Sequence, residues 1–129
     1  MLDPQFLADT RSRLMRRAAQ LREEIRNTLT RSGQETHAQV AELARDMEDD
    51  AFADLIVDTN LAEVSRDAGE LQEIDDAMQR LLDGSYGICV DCAREIPYAR
   101  LEAQPTAKRD IECQERFERM HSQAAGPTL

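Results

Sequence analysis

The chain has 129 residues and sets 26 Asp and Glu against 16 Lys and Arg, a formal net charge of −10. One third of its residues are charged, 4% are aromatic and none is Trp, a composition that suits long solvated helices and argues against a thick core or a β-sandwich. The acidity works against general binding of DNA or RNA, which relies on basic side chains that displace counterions; a basic protein surface is the expected partner, and acidity that merely keeps the chain dispersed is the plain alternative.

The start, Met1-Leu2-Asp3-Pro4, is acidic and unlike a signal peptide. No apolar run approaches the roughly 20 residues that cross a bilayer, so no membrane attachment and a cytoplasmic location are expected. Asp3 is suited to cap a helix whose first position is Pro4. Leu7, Leu14, Ala18, Leu21 and Ile25 then recur at threes, fours and sevens, the period of an amphipathic helix. The pattern extends through Val40 and Leu43, although Thr30 to Gln34 are poor helix formers and Gly33 costs about 1 kcal/mol relative to Ala.

The second segment repeats Val57, Val64, Leu71 and Met78 every seven residues, with Ile74 and Leu81 at the alternate seam positions and Asn60 and Asp67 interrupting it. Two such helices on either side of residues 44–51 predict an antiparallel coiled-coil hairpin. At 1.5 Å per residue it would extend about 45 to 60 Å. Asp83-Gly84 supplies a helix stop, and Ser85 to Lys108 read as turns and short extended pieces. Helical patterning returns from about Ile111 to Gln123, with Phe117 and Met120 three apart. The expected fold is therefore all-α dominated: a hairpin over 1–84, then a zinc-finger-like knuckle with a short C-terminal helix over 85–129.

Three cysteines, an odd number in a reducing compartment, point to metal or redox chemistry and away from a disulfide framework. Cys89 and Cys92 have the C-x2-C spacing at which two thiolates of one tight turn reach a single zinc ion, and Asp110-x2-Cys113 has the spacing of a second pair. A carboxylate is an admissible though uncommon fourth ligand. His121 is the competing fourth ligand, but two helical turns, roughly 12 Å, separate it from Cys113. A metal-free knuckle packed around Ile88, Ile96, Leu101 and Phe117 is the other alternative.

The string Tyr86-Gly87-Ile88-Cys89-x-x-Cys92, followed by Glu95-Ile96, Arg100-Leu101-Glu102-Ala103-x-Pro105-Thr106-Ala107 and Cys113, resembles the C-terminal zinc-finger region of the DksA/TraR family of bacterial transcription factors. With the hairpin in front, the resemblance covers nearly the whole chain. It implies a monomeric, non-enzymatic regulator of initiation that inserts its hairpin tip into the secondary channel of RNA polymerase and reads no nucleic-acid sequence directly. The family carries Asp-x-x-Asp-x-Ala at its tip. Asp46-Met47-Glu48-Asp49-Asp50-Ala51 stands between the two periodic segments. On that resemblance Asp46 and Asp49 act near the polymerase active site, Ala51 gives close approach, and Arg66 and Arg100 contact the channel rim.

Two departures stand out. Asp110 replaces the third cysteine, and Ala93 occupies the position of a usual Gly, where left-handed backbone would cost a side chain about 1 to 2 kcal/mol. Gln104 and Gln114 stand where the family would place basic contacts to the alarmone ppGpp, with Lys108-Arg109 the adjacent basic pair; direct ppGpp sensing in the stringent response is therefore not expected. The competing functions are Gre-like transcript cleavage through a second magnesium held at the tip, and a zinc or redox sensor that docks to an unrelated partner.

Overall fold

The computed structural model describes residues 2–31 and 62–124. Helix α1 spans Pro4–Arg31, α2 Ala62–Asp83, α3 Tyr98–Ala103 and α4 Ile111–Ala124. Helix α1 starts as its sequence requires: the Asp3 carboxylate accepts the Gln5 N–H at 2.9 Å, and the Asp3 carbonyl accepts the Leu7 N–H at 3.0 Å. Pro4 at the first helical position loses nothing, because its missing N–H would have no intrahelical partner there.

Leu14, Ala18, Leu21, Ile25 and Leu29 form the buried stripe of α1, and Val64, Ala68, Leu71, Ile74 and Ala77 that of α2. The two stripes belong to one cluster. Arg17 of α1 meets Glu70 of α2, while Glu24 and Thr28 share a groove with Glu63 and Asp67, so α1 numbers rise as α2 numbers fall. The pair is antiparallel, a helical hairpin. At 1.5 Å per residue, its described arms are about 42 and 33 Å long. Leu7, Met78 and Leu81 are only partly buried against this core. The tip, 46–51, and Val57 and Asn60 lie outside the described residues.

The helices divide the charge unequally. Helix α1 carries seven Arg against three acids, and α2 carries seven acids against two Arg. A basic helix thus lies along an acidic one, and Arg17 joins them through two hydrogen bonds to the Glu70 carboxylate, 2.6 and 2.9 Å.

Helix α2 stops at Gly84, whose φ of 81° is open to glycine without a side-chain clash. The Ser85 N–H reaches back to the Arg80 carbonyl at 3.0 Å, the six-to-one bond of a Schellman stop. Beyond it, Ile88 and Glu95 pair in an isolated antiparallel bridge. The extended reading of Ser85 to Lys108 needs one correction: Tyr98–Ala103 is helical. Pro97 holds its N-terminus, accepting the Arg100 and Leu101 N–H groups at 3.0 and 3.2 Å.

Candidate metal centre

The knuckle is built from two arms. In the first, the Cys89 N–H donates to the Arg94 carbonyl at 2.8 Å and the Ala93 N–H returns to the Cys89 carbonyl at 3.0 Å, closing a tight turn that carries Cys89 and Cys92. Ala93 sits at φ 63°, the left-handed conformation that the turn imposes. The second arm is the start of α4, which carries Asp110 and Cys113. The Val90 N–H donates to the Lys108 carbonyl at 2.9 Å and ties the arms together. One ligand atom from each of Cys89, Cys92, Asp110 and Cys113 then lies within 4.8 Å of the others.

Cys89 and Cys113 are buried, Asp110 half-buried and Cys92 exposed, so the cluster opens on the Cys92 side. The Asp110 Oδ2 stands 3.0 Å from the Cys92 Sγ, and its Oδ1 accepts the Cys113 N–H at 2.8 Å.

The electrostatics suit a cation. Burial alone would push the Cys89 thiol up, but backbone N–H groups of Cys92, Asp110 and Asp91 aimed at its sulfur outweigh that and hold it below the ordinary thiol value. Such donors stabilise the thiolate that a metal needs. The Cys92 thiol is raised chiefly by its hydrogen bond to Asp110. Cys113 is pushed up to about 12, by burial first and then by Cys89, Cys92 and Asp110. The Asp110 carboxyl is lowered, first by the Cys113 N–H and then by the Cys92 thiol. Cys89 and Asp110 thus favour their charged forms while Cys92 and Cys113 resist theirs, and a divalent cation among them would favour ionisation of all four. Zinc bound at about 2.3 Å to sulfur and 2.0 to 2.2 Å to oxygen sets its donors about 3.5 Å apart, so a cluster of this span fits one ion.

His121 is no part of the cluster: its Nδ1 meets the Phe117 carbonyl at 2.9 Å, and its ring stacks on Phe117 with centroids 3.8 Å apart. The packing expected of a metal-free knuckle is present only in part. Ile96 and Leu101 are buried, but Ile88 is 37% exposed, and the Arg109 guanidinium covers Phe117 at 3.8 Å from the ring centroid. Arg109 is itself fixed by a 2.8 Å ion pair to Asp91, which braces the cysteine turn against the root of α4. Nothing in the residue spacing signals that brace.

Arg66 is exposed on α2, at the wall of a groove shared with Arg16 and Glu73. Arg100 is committed inward, its Nε donating to the Arg109 carbonyl at 2.8 Å. Gln104 and Gln114 line one groove with Lys108 and Arg109. Asp46, Asp49 and Ala51 lie outside the described residues.

The sequence pattern of the prokaryotic dksA/traR C4-type zinc finger matches residues 84–119, a segment that contains all four ligand candidates. The RNA polymerase-binding transcription factor DksA of Caulobacter vibrioides is 39% identical over 98 residues. The chain belongs to the DksA/TraR family. That alignment takes in 74% of this chain but 64% of the Caulobacter protein, less than two thirds of the relative's length. DksA of Escherichia coli is 29% identical over 107 residues, 83% of this chain and 68% of that one. The structure of DksA2 from Pseudomonas aeruginosa matches with a TM-score of 0.62 and 26% identity, covering 92% of this chain and 88% of that one. Against the family's C4 pattern, the DksA/TraR knuckle of this chain offers three sulfurs and one carboxylate. Among the described residues no helix is long and apolar enough to cross a membrane.

Proposed function

We propose that this chain is a DksA-like regulator that binds RNA polymerase and modulates transcription initiation by carrying the tip of its hairpin into the secondary channel. The observation that carries the reading is the match of the chain to the DksA proteins of Caulobacter vibrioides and Escherichia coli, which are RNA polymerase-binding transcription factors, and of its fold to the transcription factor DksA2. In this reading the hairpin, 1–84, is the probe, and 85–129 sets its angle. Asp46 and Asp49 bring carboxylates to the polymerase active-site region, where they pair with basic groups or act on the field around the catalytic magnesium, and Ala51 permits close approach. Arg66 is free to meet an acidic rim. Arg100, held to the Arg109 carbonyl, contributes through its outer guanidinium nitrogens.

Cys89, Cys92, Asp110 and Cys113 hold zinc as a structural ion, and the protein acts as a cytoplasmic monomer without catalysing a reaction. Gln104 and Gln114 are neutral where a polyphosphate requires cations, so the effect is independent of ppGpp.

The test is transcription from a ribosomal-type promoter with purified protein, with and without ppGpp, beside polymerase pull-down. The expected result is altered initiation in both conditions. Asp46→Asn with Asp49→Asn should keep polymerase binding and lose the effect. Absence of polymerase binding overturns the reading, and stimulated RNA cleavage in stalled complexes replaces it with the Gre-like one.

A further inference from the structure

We propose that Asp110 serves two structures with its two carboxylate oxygens: Oδ1 caps helix α4, and Oδ2 alone is the ligand it gives to the metal centre. The proposal rests on the fit of the cluster to zinc, and is independent of any role at polymerase.

Asp110 immediately precedes α4, and its carbonyl accepts the Gln114 N–H at 2.9 Å, the first turn of the helix. Its Oδ1 accepts the Cys113 N–H three residues on, at 2.8 Å. That is the bond by which an Asp N-cap satisfies one of the donors a helix leaves unpaired at its start. Oδ1 is thereby engaged by the helix backbone. Oδ2 stands 3.0 Å from the Cys92 Sγ, one of the cluster's sulfurs, and carries no backbone bond in the helix start. The side chain therefore coordinates through one atom, and the orientation of that atom is fixed by the backbone of the same helix that supplies Cys113.

A cysteine at this position would offer a single sulfur, a weak acceptor, to both the ion and the Cys113 N–H, and would cap α4 less well than a carboxylate oxygen. With a thiolate the centre gains a softer, tighter donor while the cap of α4 weakens. With the carboxylate, α4 keeps a start that is independent of the ion, and the metal gives up affinity. The departure from four cysteines thus moves part of the knuckle's stability from the metal to the helix.

Three variants separate the two duties. Zinc affinity is read by competition with a chromophoric chelator, and the order of α4 by amide hydrogen exchange over residues 111–119 in excess EDTA under reducing conditions. Asp110→Asn keeps a good capping group and loses the anionic donor: exchange in metal-free protein should match the parent, while zinc affinity should fall by about tenfold or more. Asp110→Cys should reverse the pattern, with tighter zinc and several-fold faster exchange in the metal-free protein. Asp110→Ala should lose on both readouts. Zinc affinity unchanged in Asp110→Asn would overturn the ligand role. Metal-free exchange as slow in Asp110→Cys as in the parent would overturn the cap.

Discussion

The Tyr86 hydroxyl donates a 2.7 Å hydrogen bond to the Pro105 carbonyl, and the bond is one of three that grip a single short stretch of backbone. Arg13 of α1 donates to the Glu102 carbonyl at 2.7 Å, and Arg80 of α2 donates to the Thr106 carbonyl at 3.3 Å. Both arms of the hairpin thus hold residues 102–106 directly, and none of these groups is a metal-ligand candidate. The angle between hairpin and knuckle is set by this clamp as well as by any ion. Tyr86 is buried, 6% exposed, so Tyr86→Phe keeps the ring and strands the Pro105 carbonyl. Urea denaturation should show a loss of about 1 to 2 kcal/mol.

Gly87 lies next to the clamp at φ 85°. A Cβ there would meet the Leu2 Cδ1 at 2.8 Å. The clash is with the end of a flexible side chain, and Leu2 can yield; the left-handed backbone cannot, and costs a non-Gly residue about 1 to 2 kcal/mol. Gly87→Ala should therefore destabilise by about that amount, and by nearly the same amount in a Leu2→Ala background. Substantial rescue by Leu2→Ala would assign the cost to contact instead of conformation.

Ala93 is the converse case, a side chain at φ 63° where glycine would be unstrained. Ala93→Gly should stabilise the knuckle by about 1 kcal/mol, measured on zinc-loaded protein so that ligand geometry is held constant. A change of the opposite sign would show that the flexibility glycine adds to the unfolded chain outweighs the relief of strain.

Features fixed within a few neighbouring residues were legible in the sequence. Asp3-Pro4 and Asp83-Gly84 mark the helix ends, Leu14 to Ile25 and Val64 to Ile74 mark the seam, and the strain at Ala93 follows from the family resemblance, which places a Gly there. The ligand spacing likewise brought Cys89, Cys92, Asp110 and Cys113 to one cluster. Helix α3 escaped notice because six residues with one buried side chain, Leu101, give no period to read. The metal-free alternative counts Ile88 in the packing, but in the bridge to Glu95 it is exposed. The clamp leaves no pattern at all, since it joins side chains to carbonyls 19, 26 and 89 residues away. The charge difference between α1 and α2 could have been counted from the sequence; what counting could not supply is that the two helices lie side by side.

That charge arrangement makes hairpin stability depend on pH in two opposing ways. The Glu70 carboxyl is held below its ordinary value, first by its hydrogen bond to Arg17. A carboxyl lowered in the fold contributes stability that is present above its unfolded pKa and is lost as pH falls through the folded one. Both side chains are more than a third exposed, 41% and 38%, so screening limits the effect. Glu70→Gln should cost less than about 1 kcal/mol at pH 7, with no difference from the parent once Glu70 is protonated. Asp67, on the same helix, is raised, first by burial and then by Glu24 across the seam. Its charged form is disfavoured in the fold, so the penalty is present above its folded pKa and is relieved as pH falls. Asp67→Asn should therefore stabilise the protein at pH 7 and match the parent in acid. On acidification the two act with opposite sign: protonation of Asp67 relieves a penalty, and protonation of Glu70 removes a contribution. Urea titrations of the parent and both variants from pH 7 to pH 3 would show the two differences, and an Asp67→Asn variant no more stable than the parent at pH 7 would contradict the Asp67 penalty.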